Sequence, residues 1–133
     1  MARIERPVAP GLAQNPAYSH VVVASGARTV YLAGQVSMDE TGAVVGVGDV
    51  GAQTAQAMRN VGTALAAAGA GYADIVKLTV FVVNYKPEHR VEIGRARAPF
   101  FAGGAPPAST LVGAQALAMP EFLVEIEAIA VTD

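Results

Sequence analysis

Two stretches with alternating apolar and polar positions dominate the chain. Between Ile75 and Val83, the residues Val76, Leu78, Val80 and Val82 fall on one face, and the β-branched content favours a central strand over a helix. Between Leu123 and Val131, one face carries Val124, Ile126, Ala128 and Ala130. The other sets Glu125 and Glu127 among Leu123, Ile129 and Val131. A strand apolar on both faces is covered on both, and a carboxylate is seldom buried without a partner or a task. Glu125 is therefore a candidate site residue. Glu127, nearer the solvent end of the same face, reads as a surface or interface charge.

The remaining elements follow from turn and capping signals. Residues 1–17, rich in proline and alanine and without a period, read as an extended arm ending at Tyr18. Val21–Val23 and Thr29–Val36, separated by Gly26-Ala27, carry a hairpin signal. Asp49 can cap a helix with apolar positions Val50, Met58, Val61, Leu65 and Ala68, ended by Gly69, with Gln53, Gln56, Arg59 and Asn60 on a wet face. Pro87 opens a second helix to about Ala98. Pro106-Pro107 cannot lie inside a sheet, so a short strand begins at Ala108. The order β-β-α-β-α-β-β predicts an α+β fold with two helices on one face of a mixed sheet. The other sheet face then lacks a cover within the chain.

Composition points the same way. The 133 residues predict one domain, residues 1–133. The chain is 53% hydrophobic before its 14 glycines are counted and only 15% charged, against about 45–50% apolar with glycine included and about 25% charged in ordinary domains. Such an excess favours a homo-oligomer that covers a second apolar face. A net charge of −2 without any run of lysines or arginines argues against general nucleic-acid binding. The chain has no cysteine, which excludes disulfides, thiolate metal sites and cysteine nucleophiles, and its two histidines, His20 and His89, have no metal-ligand spacing. The N-terminal residues lack the apolar core of a signal peptide and no apolar run reaches the roughly 20 residues of a membrane span, so the expectation is a cytoplasmic protein.

Several short segments, in order, resemble the RidA family, also called YjgF or L-PSP. They are Tyr18 after the arm, Ala33-Gly34-Gln35, Ala67-Ala68-Gly69, Asp74-Ile75-Val76-Lys77 with Thr79-Val80-Phe81-Val82, Phe100-Phe101, Pro107-Ala108, and Glu125-Ile126-Glu127-Ala128-Ile129-Ala130. The resemblance covers nearly the whole chain. It implies a chorismate-mutase-like fold, a homotrimer with ligand clefts between adjacent subunits, and hydrolysis of reactive enamines and imines to a 2-oxo acid and ammonia without a cofactor. It also implies that Glu125 orients the water and that Tyr18 and Gly34 line the cleft. The family arginine that grips the substrate carboxylate follows Pro-Ala directly. Here Ser109 stands in its place, Leu111 occupies a position where cysteine is expected, and Gly94 one where asparagine is expected. A hydroxyl is neutral and offers one donor where a guanidinium offers a charged fork. The chain therefore resembles an arginine-lacking branch of the family, for which 2-imino acid deaminase activity does not follow from membership.

Each candidate has a structural reading beside the functional one. Glu125 can pair with Arg95 or Arg97 across a subunit boundary, Tyr18 can pin the arm, Gly34 can mark a bulge, and Ser109 can be a polar filler. Three functions stay open at the level of the residues: a cofactor-independent hydrolase of a small reactive C–N compound, a trimeric small-molecule-binding protein without catalysis, and an endoribonuclease or translation inhibitor. The absence of a basic groove and of a histidine pair counts against the third.

Overall fold

The computed structural model describes residues 2–133. Its elements are β1 (Arg3–Glu5), β2 (Val23–Ser25), β3 (Arg28–Tyr31), β4 (Gln35–Val36), α1 (Val50–Ala67), β5 (Ile75–Val83), α2 (Pro87–Arg97), β6 (Ala108–Ala114) and β7 (Val124–Thr132), with 3₁₀ turns at Tyr72–Asp74 and Ala98–Phe101. The main sheet runs β3-β7-β5-β6, with β4 also paired to β7. Strand β7 is antiparallel to β3, β4 and β5, whereas β6 runs parallel to β5 at the sheet edge. This is the mixed sheet with two helices on one face that the periodicity predicts.

The sheet's helix-covered face holds the core. Leu78, Val80 and Val82 of β5 lie opposite Ala128, Ile126 and Val124 of β7, and all six are buried with Met58, Val61 and Leu65 of α1 and Ile93 of α2. Val76 was expected on this face. A register shift between Ile75 and Lys77 places Ile75 there instead, so the bulge moves the first core position by one residue. Helix α1 begins and ends as its sequence dictates. The Asp49 carboxylate accepts from the Ala52 N–H at 2.9 Å, and Gly69 at φ +72° lets the Ala70 and Gly69 N–H groups return to Leu65 and Ala66 carbonyls.

Two expectations need correction. The strands before α1 do not form a hairpin with each other: β2 pairs with β1, inside the segment expected to be an extended arm, and β3 pairs with β7. Gly26 serves close packing, because a Cβ there would lie 2.7 Å from the Thr132 carbonyl oxygen and 2.9 Å from Val131 Cγ1. Gln53 does not lie on a wet face. It is fully buried, and its amide donates to the Gly46 and Glu121 carbonyls while its oxygen accepts from the Leu123 N–H. It ties α1 to the entry of β7, which satisfies backbone groups that no strand or helix reaches.

Candidate functional site

The arm reaches the site through the proline turn. A proline has no N–H to give, but its carbonyl still accepts. The Ser19 N–H donates to the Pro107 carbonyl at 3.0 Å, and the Ser19 hydroxyl and Arg6 Nε–H both donate to Pro106. Pro107 itself is fully buried. The arm is thus fastened to the turn that opens β6, and Tyr18 is carried to the same sheet edge, its ring edge-on to His20 at 5.2 Å.

There a cavity of about 130 Å³ opens between the arm, α2 and β6, lined by Ala17, Tyr18, Arg90, Ile93, Gly94, Arg97, Ser109 and Leu111. Four sequence candidates, Tyr18, Gly94, Ser109 and Leu111, meet in it. Ser109 and Leu111 pair with Leu78 and Val80, so both project from the helix-covered face of the edge strand. Gly94 has open space where a Cβ would stand, which leaves the wall of α2 recessed at this point.

Arg97, which the sequence offers only as an ion-pair partner for Glu125, also lies here. Its guanidinium is nearly buried. Nη1 donates to Ser109 Oγ at 2.9 Å and Nη2 to the Ala17 carbonyl at 2.9 Å. Burial lowers its pKa from the ordinary arginine range, yet a guanidinium remains charged in proteins. A signal was available: Ile93 is the buried apolar anchor of α2, and the residue four positions on shares its face.

Glu125 lies on the other side of the sheet. Its partners across the ladders are Phe81 and Val36, on the face that no helix covers. The carboxylate rests over Gly34, in the break between β3 and β4. A Cβ on Gly34 would lie 2.9 Å from Glu125 Cγ, 2.8 Å from Cδ and closer still to Oε1, so only glycine fits beneath the carboxylate in this position. Within one chain Glu125 is half-buried and Glu127 exposed. Among the described residues neither a hydrogen bond nor an ion pair holds Glu125. The same uncovered face presents Tyr31, which is 75% exposed, together with Phe81 and Ile129. The candidates therefore fall into two groups on opposite sheet faces: Tyr18, Gly94, Ser109 and Leu111 around Arg97, and Glu125 over Gly34. Among the described residues no group of metal-ligating side chains occurs, and no helix is long and apolar enough to cross a membrane.

The architecture is that of an α+β chain with two helices on one sheet face and a small-molecule-sized cavity at the sheet edge. The family model described as Endoribonuclease L-PSP matches residues 9–132. A 2-iminobutanoate/2-iminopropanoate deaminase from Rattus norvegicus is 35% identical over 117 residues, covering 86% of this chain and 80% of the relative. A solved structure of a conserved Rid-family protein of unknown function from Yersinia pestis superposes with a TM-score of 0.90 at 39% identity, covering 98% of each chain. The structure of TdcF from E. coli with bound serine gives a TM-score of 0.70 at 30% identity, covering 79% of this chain and 81% of that one. The chain belongs to the RidA (YjgF/L-PSP) family.

Proposed function

We propose that the chain assembles into a homotrimer whose intersubunit clefts bind a small reactive imine or enamine and hydrolyse its C–N bond without a cofactor. The observation that supports this reading most is the division of the site between two sheet faces. In one chain the Ser109 cavity and Glu125 lie on opposite faces of the sheet, so the two halves serve one ligand if a neighbouring copy brings its Glu125 to the cavity. The uncovered face bearing Glu125, Tyr31 and Phe81 is suited to that contact, and the rat relative is a deaminase of this substrate class.

In the proposed reaction, Glu125 takes a proton from water as the oxygen bonds to the imine carbon. That proton passes to nitrogen to give the carbinolamine; Glu125 then carries the hydroxyl proton to the amine, the C–N bond breaks as the C=O bond forms, and a 2-oxo acid and ammonia leave. Gly34 keeps the carboxylate seated over the backbone, and Tyr18 and Leu111 shape the ligand's apolar side. Ser109, being neutral, does not clamp a carboxylate as a guanidinium in that position does. The test is to generate 2-iminobutanoate in place and follow its disappearance against a buffer blank, with mass measured by light scattering in the same buffer. A mass near three 13.5 kDa chains with faster decay of the imine is the expected result. A monomer, or a trimer that leaves the decay unchanged, rejects the hydrolase reading, the latter in favour of a binding protein.

A further inference from the structure

Within one chain, the guanidinium of Arg97 is a buried charge without a counter-ion among the described residues. Its two hydrogen bonds run to neutral oxygens, the Ser109 hydroxyl and the Ala17 carbonyl, and among the described residues no carboxylate pairs with it. Among the described residues, Nε–H and the second hydrogen on each terminal nitrogen have no protein acceptor. Burying a charge without a partner is costly, and here the charge borders a cavity. None of the lining residues is acidic, and Arg90, two helical turns before Arg97 on the same side of α2, adds a second positive charge at the mouth. In a chain of net charge −2, this is a local concentration of positive charge with apolar walls from Ile93, Leu111 and Tyr18.

From this arrangement we infer that Arg97 holds the carboxylate of a small ligand with a short apolar side chain, and that Ser109 and the Ala17 carbonyl fix the orientation of the guanidinium. The inference rests on the proposed location of the ligand, though not on its hydrolysis. The division of labour is chemical. Ser109 accepts a hydrogen bond, as does the Ala17 carbonyl, and these two contacts limit the rotation of a side chain that otherwise loses much rotamer entropy on binding. The remaining N–H donors can then offer a carboxylate two parallel hydrogen bonds. A charged side chain on α2 thus does what a neutral side chain on β6 cannot. A purely structural account gives Arg97 the task of pinning the arm to the sheet edge at the C-terminal end of α2, where a cation is favoured. That account predicts no preference for charged ligands.

The experiment compares binding of 2-oxobutanoate with that of its neutral amide, 2-oxobutanamide, by calorimetry at low ionic strength. Wild type is expected to bind the carboxylate tighter by about tenfold or more, as hydrogen bonds to a charged group imply. Arg97→Gln is expected to bring the two affinities together while amide binding persists. Ser109→Ala is expected to reduce the preference without abolishing it. If Arg97→Gln does not fold, the Nε–H resonance of Arg97 in the wild-type protein serves instead: it is expected to shift with the carboxylate and stay in place with the amide. Equal affinities in wild type, an undiminished preference in Arg97→Gln, or an unmoved Nε–H resonance overturns the inference. Dissociation of the trimer by both Arg97→Gln and Glu125→Gln overturns it too, by assigning the guanidinium a counter-ion in a neighbouring copy. Turnover without carboxylate preference defeats this inference alone, whereas carboxylate preference without turnover defeats only the hydrolase reading.

Discussion

Glu125→Gln is expected to lower the rate of imine hydrolysis by about 10²–10⁴-fold, the usual contribution of a positioned acid–base group, and to leave the trimer intact. The substitution is nearly isosteric, so the side chain can still occupy the space over Gly34, where a Cβ would come within 2.8 Å of the present carboxyl carbon. What it loses is the capacity to take a proton from water. Because Glu125 has no hydrogen bond or ion pair among the described residues, the change breaks no contact within the chain. Steady-state rates measured beside light scattering separate the two roles. Loss of rate with an unchanged mass is the expected result, and loss of assembly identifies a structural ion pair instead.

Ser109→Arg is expected to destabilise the protein and leave it no better as a deaminase, although it restores the residue that the family motif carries after Pro-Ala. The resemblance implies that an arginine at this position grips the substrate carboxylate. In the fold it projects toward α2, where Arg97 already donates to Ser109 Oγ at 2.9 Å. Two guanidinium groups about 4 Å apart repel by about 4 kcal/mol at an effective dielectric constant near 20. Within one chain no carboxylate among the lining residues offsets this, and a single Glu125 from a neighbouring copy cannot neutralise two guanidinium groups. Combining Ser109→Arg with Arg97→Gln removes the repulsion, and this double variant is expected to recover stability toward wild type in denaturant unfolding while retaining an arginine at the cavity. Equal stability of Ser109→Arg and wild type would show that the two side chains avoid each other, and would remove the argument that one site holds a single guanidinium.

Much of the architecture is legible from local patterning because the decisive signals are themselves local. Asp49 and Gly69 delimit α1 through hydrogen bonds made within a few residues of each end, and the alternation in β5 and β7 assigns one sheet face to the core. The errors arise where a residue acts over a long distance. Gly26 looks like a hairpin turn and in fact admits the end of β7. Gln53 is polar and reads as wet, yet it makes three hydrogen bonds to two separate segments, at Gly46 and at Glu121 and Leu123. Ile75 enters the core because a bulge, which carries no mark in the residues themselves, shifts the register.

The site divides along the same line. The family resemblance singled out Tyr18, Gly94, Ser109 and Leu111, which the fold gathers around one cavity, and Gly34 with Glu125, which it brings into contact. The resemblance alone does not reveal that these are two groups on opposite faces, because that depends on the pairing of β6 with β5 and of β5 with β7. Nor does it reveal Arg97. A missing arginine at Ser109 reads as a lost charge when positions are compared one by one. In space the charge is present, supplied from twelve residues earlier in the chain.

Mixed trimers test most directly whether the two half-sites act together across a subunit boundary. Arg97→Gln and Glu125→Gln subunits, each first shown to hydrolyse the imine far more slowly than wild type, are unfolded together and reassembled at equal amounts. If each cleft takes its arginine from one copy and its glutamate from the next, random mixing in a closed threefold ring rebuilds about one quarter of the clefts with both residues intact. Imine hydrolysis at about a quarter of the wild-type rate is the predicted result. A mixture no more active than either variant alone, with trimers verified by light scattering, would contradict the composite site.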